Sequence, residues 1–322
     1  MSNSQERFKI AVLDDYQNVA LAMADWSVLE GSAAVTVFND HVPDPDAIVA
    51  RLEPFDVVCV MRERTPLTRA IISRLPKLRL IASTAFANAS IDVEAATERG
   101  IEVAHTGYNS TPTIEMTWAL ILGSVRSLAA ENASLRAGGW QRHVGDDLKG
   151  RTLGVLGLGR IGSEVARIGQ AFGMTVIAWS QNLTAERAAE AGVGLVSKED
   201  LFRQADILTI HLVLSHRSRG LVGAPELALM KPTSRLVNTS RGPIVVEADL
   251  VAALRDNRIV GAAIDVFDQE PLAVDHPFRS LKNVLATPHI GYVSRNLYER
   301  FYKDTVDNIR RWLDTQEVRI KP

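Results

Sequence analysis

Short β-branched apolar runs alternate along this chain with longer stretches whose apolar residues recur at helical spacing. In the first third the runs predict strands at 10–13, 35–38, 56–60, 78–82 and 101–104, with helical patterns at 67–75 and 92–99 among the connections. The alternation restarts near residue 150, with strands predicted at 152–156, 175–179, 195–196, 206–211, 235–238, 260–266 and 284–286. Within these runs apolar residues stand at adjacent positions and so point to both sides of the strand, as expected of strands covered on both faces. Strand–helix alternation of this kind predicts an α/β protein with two parallel sheets.

One long apolar helical pattern, 112–130, lies between the two series, after Ser110-Thr111-Pro112, a capping residue followed by a proline suited to a first turn. Residues 136–150 read as a polar, glycine-containing connection. At the far end, Leu297, Phe301, Val306, Ile309 and Leu313 give 296–314 one apolar helical face. The pattern does not say which sheet that helix covers.

With 322 residues, the chain is long enough for two domains. Its 46% hydrophobic and 23% charged residues are ordinary for a globular protein. The 36 Lys and Arg against 38 Asp and Glu, a net charge of -2, argue against wholesale binding to nucleic acid or anionic membrane. No apolar run approaches the roughly 20 residues needed to span a bilayer. The stretch 1–9 lacks the apolar core of a secretory signal. The single cysteine, Cys59, sits in an apolar run and reads as a buried structural thiol. A cytoplasmic location is expected.

The sharpest motif is Gly157-Leu158-Gly159-Arg160-Ile161-Gly162, between a buried strand and a helical pattern carrying Ile161, Val165, Ile168 and Phe172. In that context it is a dinucleotide-binding fingerprint. Gly157 permits the tight turn, Gly159 lets a pyrophosphate approach the backbone, and Gly162 lets helix and strand pack closely. The helix start adds free N–H groups and a positive dipole end.

The residue ending the next strand reads the adenosine ribose, and a carboxylate there disfavours a 2′-phosphate. Here Ser180 occupies the position, followed by Gln181 and Asn182. No carboxylate occurs before Glu186, and the nearest arginine is Arg187. Ser180, Gln181 and Asn182 can donate to NAD(H) or NADP(H); the missing carboxylate leans the reading to NADP(H).

Three further segments follow predicted strands, at the edge where open α/β sheets bind ligands. They are Asn238-Thr239-Ser240-Arg241-Gly242, Asp265-Val266-Phe267-Asp268-Gln269-Glu270-Pro271 and Thr287-Pro288-His289-Ile290-Gly291. This set suits hydride chemistry on a 2-oxo acid. Arg241 can clamp the substrate carboxylate with a two-pronged fork. His289 can pass a proton to the carbonyl oxygen as hydride arrives at carbon. Glu270 can accept from the far ring nitrogen, orienting the ring and favouring the imidazolium. Asp265 can orient the nicotinamide end of the cofactor. The cofactor-binding set is read as Gly157, Gly159, Arg160, Ile161, Gly162, Ser180, Gln181, His211, Thr239, Ser240, Asp265 and Gly291. No metal is expected.

On these motifs the chain resembles the D-isomer-specific 2-hydroxyacid dehydrogenases over nearly its whole length. The resemblance is strongest at 154–162, 236–242, 265–271 and 287–291. It implies that Arg241, Glu270 and His289 are catalytic. It also implies a Rossmann domain, 109–292, inserted in a discontinuous flavodoxin-like substrate domain, 1–108 and 293–322, which gives the last helix a home. A homodimer is implied too, with the helix after Pro112 near the interface. The implied activity is NAD(P)-dependent reduction of a 2-oxo acid, from glyoxylate or hydroxypyruvate to larger ones, to a D-2-hydroxy acid. A short-type 3-phosphoglycerate dehydrogenase, or a nicotinamide-sensing regulator on the same fold, are the alternatives. Glu270 stands where the related formate dehydrogenases carry Gln, which sets formate oxidation aside.

The chain departs from the family pattern at three places. Ala85 and Ala87 stand in a substrate-domain loop where glycines are common, so a different loop shape is expected. Phe86 and Ala87 can still offer backbone donors to the substrate. Arg62 or Arg64 can meet a second acidic group on the substrate, or form a solvated surface pair. Tyr292 replaces a small residue after His289 and would narrow the pocket or add a hydroxyl.

Overall fold

The computed structural model describes residues 7–320. Of the polar amino-terminal stretch, residues 1–6 lie outside the described residues. The chain divides into two compact units: one runs to Asn109 and resumes at Ser294, the other is Ser110–Val293.

In the first unit, chain order is β1 (Phe8–Val12), β2 (Ala33–Val37), α1 (Pro45–Leu52), β3 (Val57–Val60), α2 (Arg69–Ile72), β4 (Leu80–Ser83), α3 (Val93–Glu98) and β5 (Glu102–His105). The five strands form one parallel sheet in the order β2-β1-β3-β4-β5. Its helices start where the sequence supplies caps. Asp44 accepts from the Ala47 N–H ahead of Pro45, and Asp92 accepts from the Ala95 N–H. Ile48, Leu52, Ile71, Ile72, Leu75 and Ile81 meet in the core on one face of the sheet. Cys59 is buried in β3, and burial pushes its thiol well up, so it is inert at neutral pH.

The second unit opens on α4 (Thr111–Val125) and α5 (Leu128–Arg136). These replace the single helix predicted over 112–130. Ser127 takes a left-handed conformation, φ 50°, and the Val125 carbonyl accepts from the Asp146 N–H as the chain returns across the helix end. The break therefore rests on a contact remote in sequence. Ser110 precedes α4 without a side-chain capping bond. Then follow β6 (Thr152–Leu156), α6 (Arg160–Ala171), β7 (Thr175–Trp179), α7 (Ala185–Glu190), β8 (Gly194–Leu195), α8 (Lys198–Gln204) and β9 (Ile207–Ile210). The unit closes with α9 (Ala224–Leu229), β10 (Arg235–Asn238), α10 (Glu247–Arg255), β11 (Gly261–Ile264) and β12 (Val284–Ala286).

These seven strands form a parallel sheet in the order β12-β11-β10-β9-β6-β7-β8. The order reverses between β6 and β9, so the crevice beyond their carboxyl ends is the expected ligand site. Two buried clusters cover the two faces: Leu201, Phe202, Leu236 and Leu254 on one, Ile121, Leu153, Val165 and Val237 on the other.

The last helix, α11 (Arg295–Ile320), belongs to the first unit. Asp304 accepts from the Gly107 N–H at 2.8 Å, Asn308 donates to the His105 carbonyl at 3.0 Å, and the Trp312 ring meets Phe8 edge-on at 5.1 Å. Among the described residues no helix is long and apolar enough to cross a membrane.

Candidate active site

The phosphate turn is built as the glycine spacing predicts. Gly157 has φ +106°, and a Cβ there would lie 2.8 Å from the His211 carbonyl oxygen. A Cβ on Gly162 would sit 2.0 Å from the Gly157 carbonyl oxygen, so α6 can approach β6 only with glycine there. Gly159 differs: a Cβ there would meet nothing within 4 Å. Protein packing therefore does not require that glycine, and the space before it is open. Arg160 and Ile161 open α6 directly behind it.

A cavity of about 440 Å³ lies at the switch point, lined by Gly157, Leu158 and Gly159 on one side. Trp179, Ser180, Gln181 and Asn182 from the end of β7 line it, as do Arg187 of α7 and, after β9, His211, Leu212, Val213, Ser215, Arg217 and Ser218. This is room for a nucleotide against a phosphate-binding turn, so the residues present fit a dinucleotide. Burial pushes the His211 imidazole down to about 3, so it is neutral at physiological pH, with Nε2 2.9 Å from the Thr209 hydroxyl. Glu186, the first carboxylate after β7, is held below its ordinary range by its own backbone N–H and the Thr184 hydroxyl. Arg217 and Trp179 went unnoticed in the sequence; Arg217 lies 38 positions beyond β7, and only the fold brings the two together.

The other predicted residues of this unit gather after β10, β11 and β12. Asn238 braces the first turn from both ends. Its amide donates to the Arg241 carbonyl and its Oδ1 accepts from the Ser240 N–H, each at 3.0 Å. Arg241 follows this braced turn, its guanidinium donating to the Ser240 carbonyl at 2.8 Å. Thr239 and Ser240 turn their hydroxyls to the protein, on Thr117 at 2.8 Å and on the Leu212 carbonyl.

Glu270 and His289 form a close pair. Glu270 Oε2 lies 2.5 Å from His289 Nδ1, and Oε1 accepts from the Phe267 N–H at 2.9 Å. A carboxylate can only accept here, so Nδ1 carries the proton, and Nε2 lies outside the pair. Tyr292 is buried and stands edge-on to the His289 ring at 5.3 Å.

Asp265 has a more structural setting than the sequence suggests. It is buried, and its Oδ1 accepts from the Thr287 hydroxyl at 2.6 Å and the Ile290 N–H at 2.9 Å. Its Oδ2 accepts from the Gly291 N–H at 2.7 Å, and a Cβ on Gly291 would meet that oxygen. Burial pushes the Asp265 carboxyl above the ordinary aspartate range, against these donors and the charge of His289. The carboxylate thus ties down both residues that follow His289, which itself holds φ +51°.

In the first unit, Arg62 follows β3 with φ +54°, its N–H donating to the Thr84 hydroxyl at 2.8 Å. Its guanidinium lies 5.5 Å over the Tyr108 ring, and Phe86 meets the same ring edge-on at 5.5 Å. Tyr108 was not singled out in the sequence; it links two residues that were. Arg64 donates to the Asp14 carbonyl at 2.7 Å and lies over Tyr16, so it is not a solvated charge. Ala85 adopts φ +65° despite its Cβ, its N–H held by the Thr106 hydroxyl at 2.7 Å. The loop therefore takes a glycine-like turn at Ala85, where a different shape was expected; Phe86 and Ala87 beyond it are exposed.

The sequence model of the D-isomer specific 2-hydroxyacid dehydrogenase NAD-binding domain matches residues 118–291. A glyoxylate reductase from Aeropyrum pernix is 44% identical over 249 residues, 74% of this chain and 74% of that protein. The chain belongs to the D-isomer specific 2-hydroxyacid dehydrogenase family. A D-3-phosphoglycerate dehydrogenase from Methanocaldococcus jannaschii is 38% identical over 76% of this chain but only 47% of its own length. Among solved structures, a phosphoglycerate oxidoreductase from Vibrio cholerae superposes with TM-score 0.91 at 38% identity, covering 96% of this chain and 99% of that one. As a family member, the chain is an oxidoreductase that acts on CH–OH donors with a nicotinamide dinucleotide.

Proposed function

We propose that this enzyme reduces a small 2-oxo acid to the D-2-hydroxy acid, with NADP(H) as the preferred cofactor. The observation that carries the reading is the Glu270–His289 pair, in the same unit as the phosphate turn and the braced Arg241.

The bound nicotinamide supplies the hydride. Arg241 holds the substrate carboxylate and fixes which face of the neighbouring carbonyl is presented. His289 gives the Nε2 proton to the carbonyl oxygen as carbon gains hydride. Glu270 stabilises the imidazolium before that transfer and keeps Nδ1 protonated after it. The carbonyl is reduced by two electrons and gains one proton from His289, which recovers it from water. Asp265 keeps the His289 segment in place and thereby positions the acid.

Gly157, Gly159, Gly162, Ser180, Gln181 and His211 are read as the wall that receives the dinucleotide. The lean to NADP(H) rests on a cavity wall with Arg187 and no carboxylate. Arg62, Phe86, Ala87 and Tyr292 are read as substrate-side residues. Glyoxylate and hydroxypyruvate are the first substrates to try, because relatives are named glyoxylate reductases. The basic Arg62 keeps a second acidic group, as in 3-phosphohydroxypyruvate, in the panel. A homodimer is proposed as well, since Leu128, Leu135, Trp140 and Val144 are apolar and exposed along α5 and the segment after it.

The test is oxidation of NADPH and NADH with these acids and with pyruvate and phenylpyruvate. Turnover with at least one, faster with NADPH, is expected. No turnover with any, while the cofactor binds, would overturn the reading.

A further inference from the structure

The cavity at the switch point carries a cation that the fingerprint does not involve. Arg217 stands on the hydrogen-bonded turn after β9 and Arg187 on α7, and both line the same cavity as Ser180 and Gln181. That turn is fixed by Ser218, whose buried hydroxyl donates to the Val213 carbonyl at 2.7 Å and accepts from the Ser215 N–H at 2.8 Å. The Arg219 and Ser218 N–H groups close on the Ser215 carbonyl at 3.0 and 3.1 Å. Arg217 is thus an exposed side chain on an ordered backbone. Among the described residues, neither the Arg187 nor the Arg217 guanidinium makes a hydrogen bond or ion pair. Among the described residues no carboxylate lines this cavity, and Glu186 is engaged at the start of α7.

We propose that Arg217 is a cofactor-specificity residue that, with Arg187, grips the 2′-phosphate of NADP(H). The inference rests on the NADP(H) reading above and adds to it the residue that recognises the phosphate. The ribose-reading position after β7 supplies only neutral donors, Ser180 and Gln181. A 2′-phosphate there needs cationic partners, and the two arginines approach from separate elements. Planar guanidinium groups match phosphate oxygens in pairs. Adenosine with a bare 2′-hydroxyl gains little from either, so the effect falls on NADP(H) alone.

The test is calorimetric titration of the full-length protein with adenosine 2′,5′-bisphosphate and with adenosine 5′-monophosphate. Wild type is expected to bind the bisphosphate at least about tenfold more tightly. Arg217→Ala is expected to lose about ten- to hundredfold on the bisphosphate, the range of a charge-assisted hydrogen bond, with the monophosphate unchanged. Arg217→Glu is expected to favour the monophosphate. KM for NADPH should rise in parallel, with KM for NADH constant. If wild type prefers the bisphosphate and Arg217→Ala keeps that preference, the role of Arg217 is overturned and the NADP(H) reading stands. If wild type shows no preference, the NADP(H) reading fails and the role of Arg217 falls with it.

Discussion

Glu270 Oε2 lies 2.5 Å from Nδ1 of His289, while the other Glu270 oxygen is fixed by the Phe267 N–H at 2.9 Å. The carboxylate therefore cannot swing away without breaking a second bond, and the ring is held with Nδ1 toward Glu270. Replacement of the acid itself, His289→Ala, is expected to lower turnover by about 10²–10⁴. Glu270→Gln keeps the shape but not the charge, and is expected to cost roughly 10–10² in kcat. Cofactor Kd should stay near wild type in both. Steady-state kinetics with a parallel binding titration checks this, and wild-type turnover in His289→Ala would remove the ring from the mechanism.

Asp265 accepts from the hydroxyl of Thr287 and the N–H groups of Ile290 and Gly291, with both oxygens in use. Asp265→Asn puts an NH₂ donor against at least one of these donors. The expected result is a displaced His289 and a drop in kcat of about tenfold or more, with cofactor binding weakened far less. Equal losses in both would mean that Asp265 acts on the cofactor rather than through His289.

The two glycines around the phosphate turn separate folding from binding. A Cβ at Gly162 strikes the Gly157 carbonyl, whereas one at Gly159 enters open space. Gly162→Ala is therefore expected to lower stability by about 1–3 kcal/mol, read as a lower melting temperature. Gly159→Val should melt within about 1 °C of wild type, because it displaces no protein atom. It should nonetheless bind NADPH at least about tenfold more weakly. A Gly159→Val protein with wild-type affinity would mean that the pyrophosphate does not pass there.

Much of this fold was legible because parallel strands buried on both faces write continuous apolar runs. In β6, residues 153–156 are such a run, and the strand's bounds, Thr152–Leu156, agree with those predicted. What was not legible depended on contacts between remote residues. The helical pattern predicted over 112–130 runs across the junction of α4 and α5, yet the Asp146 N–H takes the Val125 carbonyl and Ser127 turns. The short helices α7 and α9 leave too few residues for a period to register. Ala85 breaks the local rule for positive φ because Thr106, just past the end of the neighbouring β5, holds its N–H. In the site, residue types and order were readable, but the hold of Asp265 on the His289 segment and the place of Arg217 in the cavity wall beside the end of β7 were not.

Asp206 gives a pH-dependent test of the second unit. It precedes β9, and its carboxylate takes Lys231 Nζ at 2.7 Å and the Thr152 N–H of β6 at 2.8 Å. Burial opposes its ionisation, but these two donors outweigh it and hold the carboxyl below the ordinary aspartate range. A depressed folded-state value stabilises above the unfolded value of about 3.9 and loses that contribution as pH falls through the folded one. Asp206→Asn is therefore expected to lower the melting temperature at pH 7 by about 2–6 °C. The gap to wild type should narrow below about pH 4. A constant gap from pH 7 to pH 3 would rule out the charge as its source.

The central claim is reduction of a 2-oxo acid to one enantiomer, with His289 supplying the proton. The most direct measurement follows NAD(P)H loss with the best 2-oxo acid other than glyoxylate, whose product glycolate is achiral, and resolves the product by chiral chromatography, for wild type and His289→Ala. The account predicts one equivalent of D-2-hydroxy acid for each reduced nicotinamide consumed, and a rate that collapses in the variant. The L-enantiomer, or nicotinamide oxidation without a hydroxy acid, would contradict it.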